Sequence, residues 1–355
     1  MISIIIPTYN ERENILPLVQ RIDGAMSGYS YEVVFVDDNS ADGTAEAVNG
    51  LSSDYPVKAI VRTDERGLAS AVVHGIGHAA GDILVVMDAD LQHPPEVIPA
   101  LVQKAESGAD VVIASRYVKG GGCREWGLVR KMISKVAISI AHLLLPQTRL
   151  VNDPMSGFFL FKRPVVASAR LQPKGYKILL ELLMEGDFRD VAESPYVFEN
   201  RKGGSSKLNT RQEIEYLKHI YSLMRRTGEL VRFLKFCGVG LSGVFVNMGL
   251  LWLLTEHAGL QYLLSAAFSI ETSIITNFIL NDFFTFPLRR TPGVKSFFNR
   301  LWKFNVVSLA GLAINLGVLW LFTEVLDLYY LLSNLFGIAA ATMWNYLVNS
   351  SWTWR

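Results

Sequence analysis

Two aspartates one residue apart, Asp88 and Asp90, follow the apolar run Val85-Val86-Met87 and precede Gln92 and the pair Pro94-Pro95. Carboxylates at a strand end can hold a hard divalent cation, Mg²⁺ or Mn²⁺. Strand alternation would send both side chains to one side. Gln92 adds a neutral oxygen two residues on. A cation there would neutralise a diphosphate and stabilise it as a leaving group. The plainer alternative is a solvated Asp-rich turn, with the prolines opening a helix.

These residues need a scaffold. The runs SIIIPTYN, YEVVFVDDNS, VKAIVRT, ILVVMDAD and DVVIASRYV read as five strands separated by stretches with helical spacing, such as NILPLVQRIDGAM. MISIIIPTYNERE reads as the first strand rather than a signal peptide. Near-continuous apolar strands alternating with helices predict a mostly parallel sheet covered on both faces. Such sheets bind ligands at the carboxyl ends of their strands. Pro7, Tyr9 and Glu11, then Asp37 and Asp38, Asp88 and Asp90, and Ser115 and Arg116 all fall at such ends. That convergence weighs more than any one motif. Asp37, Asp38 and Asp42 also suit caps and Asx-turns around Gly43.

The chain has 355 residues and a net charge of +1, which gives no reason to expect a nucleic acid partner. Cys123 and Cys237 lie far apart, so no disulfide framework is expected and a reducing setting is favoured. Charge sits mainly in the first part. From Phe233 onward the chain is strongly apolar, with four stretches at about 236–255, 263–286, 304–326 and 331–351, each near the ~20 residues a span needs. KFCGVGLSGVFVNMGLLWLLTEHAGLQYLLS at 235–265 lies over KFNVVSLAGLAINLGVLWLFTEVLDLYYLLS at 303–333, and the match continues through Asn277 over Asn345 and Asn281 over Asn349. Two tandem two-helix repeats of like orientation are expected. The loop 287–303 carries Arg289, Arg290, Lys295, Arg300 and Lys303, whereas the short links carry no basic residue. The positive-inside rule then places that loop, both termini and the polar half in the cytoplasm. Asn247, Glu271, Asn277, Asn281, Asn315 and Asn345 should face other helices. Gly243 with Gly311, and Gly249 with Gly317, should allow close helix contact.

Arg116 could grip a phosphate with two hydrogen bonds, or pair with the carboxylate cluster. GLVRKMISKVAISIAHLLLP reads as an amphipathic helix with Arg130, Lys131, Ser134 and Lys135 near its start. A lipid phosphate at the basic end and a prenyl tail along the apolar face would suit it; a core helix is the alternative. Arg201 and Lys207 lie in ENRKGGSSKLN, read as a mobile loop able to close on a diphosphate, or as a solvated linker. The segment from Arg211 mixes basic and apolar residues at helical spacing, as an interfacial or a packing helix would. Gly75-Ile76-Gly77 lies inside a helix and is discounted as a dinucleotide fingerprint, and His74, His78 and His93 show no ligand spacing.

SIIIPTYNERENI, VDDNSADGT, ERGLASAV, VVMDADLQHPPE, ASRYVKGG and DPMSGFF, in this order, resemble the inverting family-two nucleotide-sugar glycosyltransferases, most closely the polyprenyl-phosphate (dolichyl-phosphate) mannose synthases. The membrane half resembles the GtrA-like four-span domain. The resemblance implies that the first part is a GT-A, Rossmann-like domain; with the residue patterns above, the expected bounds are 1–210 for that domain, 211–232 for amphipathic interfacial helices and 233–355 for the membrane domain. It implies a cation bridging Asp90 and Gln92 to the diphosphate of GDP-mannose, with Asp88 and Ala89 alongside. Pro7, Tyr9, Glu11, Val36 and Asp38 would cradle the nucleoside, Arg116, Arg201 and Lys207 would meet donor phosphates, and Arg116, Arg130 and Ser134 the lipid phosphate. Asp153 matches the neighbourhood where many relatives carry a general base. A lipid phosphate is already anionic, so Asp153 could instead orient sugar or phosphate, or simply form a turn.

The expectation is therefore a metal-dependent inverting mannosyltransferase using Mg²⁺ or Mn²⁺, GDP-mannose and a polyprenyl or dolichyl phosphate, anchored among membrane lipids and able to form a homo-oligomer through its spans. A UDP-glucose or UDP-GlcNAc donor is the nearest rival. A processive polysaccharide synthase should carry a Q-x-x-R-W motif, which is not found. A lipid-linked-sugar translocase and an inactive binding module complete the rivals.

Overall fold

The computed structural model describes residues 1–124, 126–172, 175, 177–199 and 210–354. They form two compact units, Met1–Thr227 and Gly228–Arg355.

The first unit is built on a seven-stranded sheet. Its strands are β1 (Ile2–Thr8), β2 (Tyr31–Asp37), β3 (Val57–Val61), β4 (Ile83–Val86), β5 (Val111–Ser115), β7 (Phe159–Lys162) and β8 (Val191–Pro195), while β6 (Gly122–Cys123) and β9 (Val197–Phe198) pair apart from it. The order is β3-β2-β1-β4-β7-β5-β8. All five expected strands are present. Two further sheet strands, β7 and β8, carry no strong period in the sequence. β7 pairs antiparallel with both β4 and β5, and the other ladders of this sheet are parallel.

The helices of this unit are α1 (Arg12–Ala25), α2 (Thr44–Asn49), α3 (Leu68–His78), α4 (Ile98–Glu106), α5 (Leu128–Leu144), α6 (Pro164–Ala167), α7 (Ile178–Glu185) and α8 (Thr210–Arg226). Alternation divides the strands between two cores. Ile4, Ile6, Val33 and Phe35 face Ile15, Leu18, Leu101 and Val102 of α1 and α4. Ile5, Val34 and Val36 face Val72, Leu179 and Leu182 of α3 and α7. Gly75 explains why α3 lies so close to the sheet: a Cβ there would stand 2.5 Å from Ile5 Cγ2.

Two features of this sheet place a site. The chain steps from β1 outward to β2 and β3, then returns to β4 on the other flank of β1, so the ends of β1 and β4 border a switch-point crevice. Because β7 runs antiparallel, with Phe159 opposite both Val86 and Ile113, the loop entering it lies at the carboxyl ends of β4 and β5.

The second unit contains α9 (Glu229–Trp252), α10 (Tyr262–Leu280), α11 (Val294–Trp320) and α12 (Tyr330–Val348). With the π-turns that follow each of them, the four helices are long and apolar enough to cross a membrane: Glu229–His257, Tyr262–Thr285, Val294–Val325 and Tyr330–Thr353. The repeat is visible in space. α9 packs on α10 and α11 on α12. Gly243 faces the Asn277 side chain, and Gly311 lies against Asn345, whose Oδ1 would be 2.6 Å from a Cβ there. Gly249 and Gly317 do not serve this contact, since nothing lies within 4 Å of a Cβ at either. Matching small residues in sequence cannot say which helix face meets a neighbour. Asn305 Nδ2 donates to Glu271 Oε1 at 3.2 Å, linking α10 to α11. Arg300 is held by a two-pronged pair with Asp282, whose Oδ1 also accepts from Trp354 Nε1 at 2.8 Å.

Candidate active site

β4 ends at Val86, so Asp88 and Asp90 stand beyond it in a turn that carries Leu91 at φ 62. The pleat does not align the two aspartates, contrary to expectation; the turn does, and both line one cavity. That cavity measures about 250 Å³ and is walled by Pro7, Thr8, Tyr9 and Glu11 after β1, Asp38 after β2, Leu68, and Asp88, Ala89 and Asp90. A leucine in left-handed backbone is uncommon, and such conformations concentrate at functional sites. Gln92 lies just past the turn. Its backbone N–H donates to Asp90 Oδ1 at 3.1 Å and its Nε2 to the Glu199 carbonyl at 2.9 Å.

The neighbouring aspartates divide by role. Asp37 is buried and accepts from Thr8 Oγ1, Ser40 N and Ser40 Oγ, so it ties the loops after β1 and β2 together. Asp42 accepts from Thr44 N, Thr44 Oγ1 and Arg12 N, an Asx-turn at the start of α2. Asp38 lines the cavity but is clamped by Arg62 and by Gly67 N at 2.7 Å. Val36 is wholly buried in the core against α3, and its side chain does not line this cavity. Tyr9 is exposed, with the Arg66 guanidinium 5.3 Å from its ring centroid.

A second cavity, also about 250 Å³, shares Asp88 and Leu68 with the first. Arg116, Arg130, Ser134, Lys177 and Tyr216 lie along its polar wall, with Trp126, Ile133 and Met155 among the apolar ones. Arg116 and Asp153 form a buried pair. Arg116 N and Nε donate to Asp153 Oδ2 at 3.0 and 2.8 Å, and Nη2 to Oδ1 at 2.8 Å. Burial alone would lower the Arg116 pKa, but the hydrogen bonds and charge of Asp153 outweigh it and raise it. The Arg116 guanidinium also stands 5.3 Å from the Trp126 ring, and Arg130 4.3 Å from the same ring. Ser134 Oγ accepts from the Tyr117 hydroxyl at 2.8 Å.

Three participants carried no signal in the sequence. His93 Nδ1 accepts from the Asp88 N–H at 3.0 Å, and its ring stacks on Phe158 between Tyr196 and Phe198. Burial pushes its imidazole down to about 4, so it is neutral and fixes the Asp88 backbone. Gly157 leaves room for this group: a Cβ there would be 3.2 Å from His93 Cε1 and 3.3 Å from Asp88 Oδ2. Lys177 donates Nζ to the Met155 carbonyl at 2.9 Å. Arg201 and Lys207 lie outside the described residues.

No three His, Cys, Asp or Glu side chains converge as a metal cage among the described residues. The carboxylates at 88 and 90 and the Gln92 oxygen are nonetheless the hard donors Mg²⁺ or Mn²⁺ takes, and such ions commonly draw their remaining ligands from substrate phosphates and water.

Comparisons with known proteins identify the families of the two halves. Residues 3–168 match the family described as Glycosyl transferase family 2, and residues 235–354 the GtrA/DPMS transmembrane domain. The dolichol-phosphate mannosyltransferase of Pyrococcus furiosus is 48% identical over 99% of both chains. That of Saccharomyces cerevisiae is 39% identical over 67% of this chain and 93% of its own. Among solved structures, glucosyl-3-phosphoglycerate synthase from Mycobacterium tuberculosis, in complex with Mn²⁺, UDP and glucosyl-3-phosphoglycerate, aligns at TM-score 0.51 and 20% identity, over 64% of this chain and 80% of that one. At that identity it shows the fold alone, the GT-A type. The chain is a multi-pass membrane glycosyltransferase, and its full-length identity to the archaeal enzyme makes it a member of the dolichol-phosphate mannosyltransferase family.

Proposed function

We propose that the chain transfers mannose from GDP-mannose to a polyprenyl or dolichyl monophosphate with inversion, giving lipid-phosphate-β-mannose and GDP at the cytoplasmic membrane face. The observation that carries this reading is the meeting of two cavities at Asp88. One is bounded by strand-end groups and carboxylates, the other by Arg116, Arg130 and Ser134. The first suits a nucleotide sugar and the second an anionic acceptor.

In this reading Pro7, Tyr9, Glu11 and Asp38, with Ala89, border the nucleoside side, and Val36 stands beside them on β2 with its side chain in the core. Arg201 and Lys207 would add phosphate contacts. A divalent cation would be held by Asp90 and Gln92, next to Asp88. Gln92 already spends Nε2 on Glu199, so its oxygen is the atom left for a ligand. When bound, the cation would neutralise the leaving diphosphate.

The remaining chemistry is positioning. An oxygen of the lipid phosphate attacks the anomeric carbon as the bond from that carbon to the β-phosphate oxygen breaks, and GDP departs on the opposite side. The nucleophile is already anionic, so no proton need be removed. Asp153 then serves by holding Arg116 toward the acceptor phosphate, since its carboxylate accepts three hydrogen bonds from that one residue. The proposed organisation is a cytoplasmic domain at 1–210, an interfacial segment at 211–232 and a membrane domain at 233–355, with both termini cytoplasmic.

The test is transfer from a panel of labelled nucleotide sugars to a short polyprenyl phosphate, with Mn²⁺, Mg²⁺ or EDTA, alongside Asp90→Ala. Mannose transfer from GDP-mannose, lost with EDTA and in the variant, is expected. Activity with a UDP-sugar only would overturn the donor.

A further inference from the structure

Lys177 lies outside the groups that carry the displacement. It immediately precedes α7, whose residues from Ile178 to Met184 are all buried, so its backbone is held by the core. Part of the residue reaches solvent, yet Nζ lies deep among protein atoms, 2.9 Å from the Met155 carbonyl. Met155 belongs to the loop that also supplies Asp153 and Gly157. Lys177 lines the cavity of Arg116, Arg130 and Ser134, and does not line the cavity bounded by Pro7, Glu11 and Asp38.

Charge explains why an ammonium is useful there. Arg116 is largely neutralised by Asp153. A phosphate monoester carries up to two negative charges near neutral pH, the second pKa being about 6. Among the described lining residues, the further positive charge it meets comes from Arg130 and Lys177, set against the Asp88 and Glu213 carboxylates of the same cavity. Burial and the Arg116 guanidinium push the Lys177 ammonium down to about 8, against the pull of Asp88 and Asp153. An arriving anion would favour its charged form.

Resting on the function proposed above, we propose that Lys177 is a further phosphate-binding residue of the acceptor site, gripping the lipid monophosphate together with Arg116 and Arg130. The donor's phosphates have the same chemistry, so the test must separate the two. Full-length enzyme in detergent, wild type and Lys177→Met, is assayed with short-chain polyprenyl phosphate and GDP-mannose. Direct binding of labelled polyprenyl phosphate, unphosphorylated polyprenol and GDP is measured in parallel. The expected result is at least a tenfold weaker affinity and higher KM for polyprenyl phosphate in Lys177→Met. GDP affinity and the GDP-mannose KM should stay within twofold, polyprenol binding should not change, and Lys177→Arg should recover part of the loss. Methionine fills a similar volume without a charge, and the GDP arm confirms a folded site even if turnover vanishes. Unchanged polyprenyl phosphate binding, or an equal loss of GDP binding, would overturn the assignment. A wild type that transfers no mannose from GDP-mannose to polyprenyl phosphate would overturn the underlying reading instead.

Discussion

The Asp153 carboxylate is fully buried and accepts from three nitrogens of Arg116, one backbone and two guanidinium. A pair so enclosed is strongly coupled: removing one partner leaves an uncompensated buried charge.

Asp153→Asn should therefore destabilise the first unit by about 3 kcal/mol and raise the KM for the lipid phosphate by releasing Arg116. A general base would behave differently, since its loss lowers kcat with the acceptor KM unchanged. Thermal unfolding and steady-state kinetics against the acceptor distinguish the two. A stable variant with only kcat reduced would restore Asp153 as a base.

Gly157 tests how tightly Asp88 must be held. An alanine Cβ would press on Asp88 Oδ2 at 3.3 Å and on a His93 ring already packed by three aromatic neighbours. A shift of a few tenths of an ångström in Asp88 should lower kcat/KM for the donor about tenfold, since a displacement near 1 Å can cost about a hundredfold. The melting temperature should barely move. Full activity in Gly157→Ala would show that the Asp88 position is tolerant.

α8 is fastened to α7 by a buried ionic cluster. Glu181, fully buried on α7, accepts from His219 Nε2 at 2.9 Å and from Arg226 Nη2 at 2.6 and 2.7 Å. Burial would raise its pKa, but hydrogen bonds from His219 and Arg226 outweigh burial and hold it below the usual range. With a folded pKa below the unfolded one, the stabilisation is present above about pH 4.3 and disappears as pH falls through the folded value. Glu181→Gln should cost about 2 kcal/mol at neutral pH, and its deficit should shrink on acidification. Melting curves from pH 7 downward check this; a pH-independent deficit would mean that packing, not charge, is what the glutamate supplies.

Much of the site was legible in the residues. Asp88, Asp90, Glu11 and Asp38 were expected at strand ends, and all four line one cavity. Apolar runs locate strands and turn residues locate their ends, because both signals are local. The same locality misled for Asp88 and Asp90, which were expected to align through strand alternation although the strand stops at Val86. It also failed for Gly249 and Gly317, which match between repeats yet meet no other helix of this chain among the described residues. Gly157 and Lys177 act through neighbours far away in the chain, and His93, although it accepts from the nearby Asp88 N–H, is enclosed by the distant Phe158, Tyr196 and Phe198; no spacing rule marks them.

By itself the sequence determined the class of architecture, the strand-end carboxylates, the four apolar spans and their duplication, since each follows from periodicity and residue type within a short window. Only the tertiary structure decided which charged groups are already spent. Inserting β7 antiparallel between β4 and β5 carries the 151–158 loop to Asp88 and Arg116, so Asp153 meets Arg116 and Lys177 reaches Met155. Pairings across such distances depend on strand order and direction, which hydrogen bonding and burial settle for the sheet as a whole.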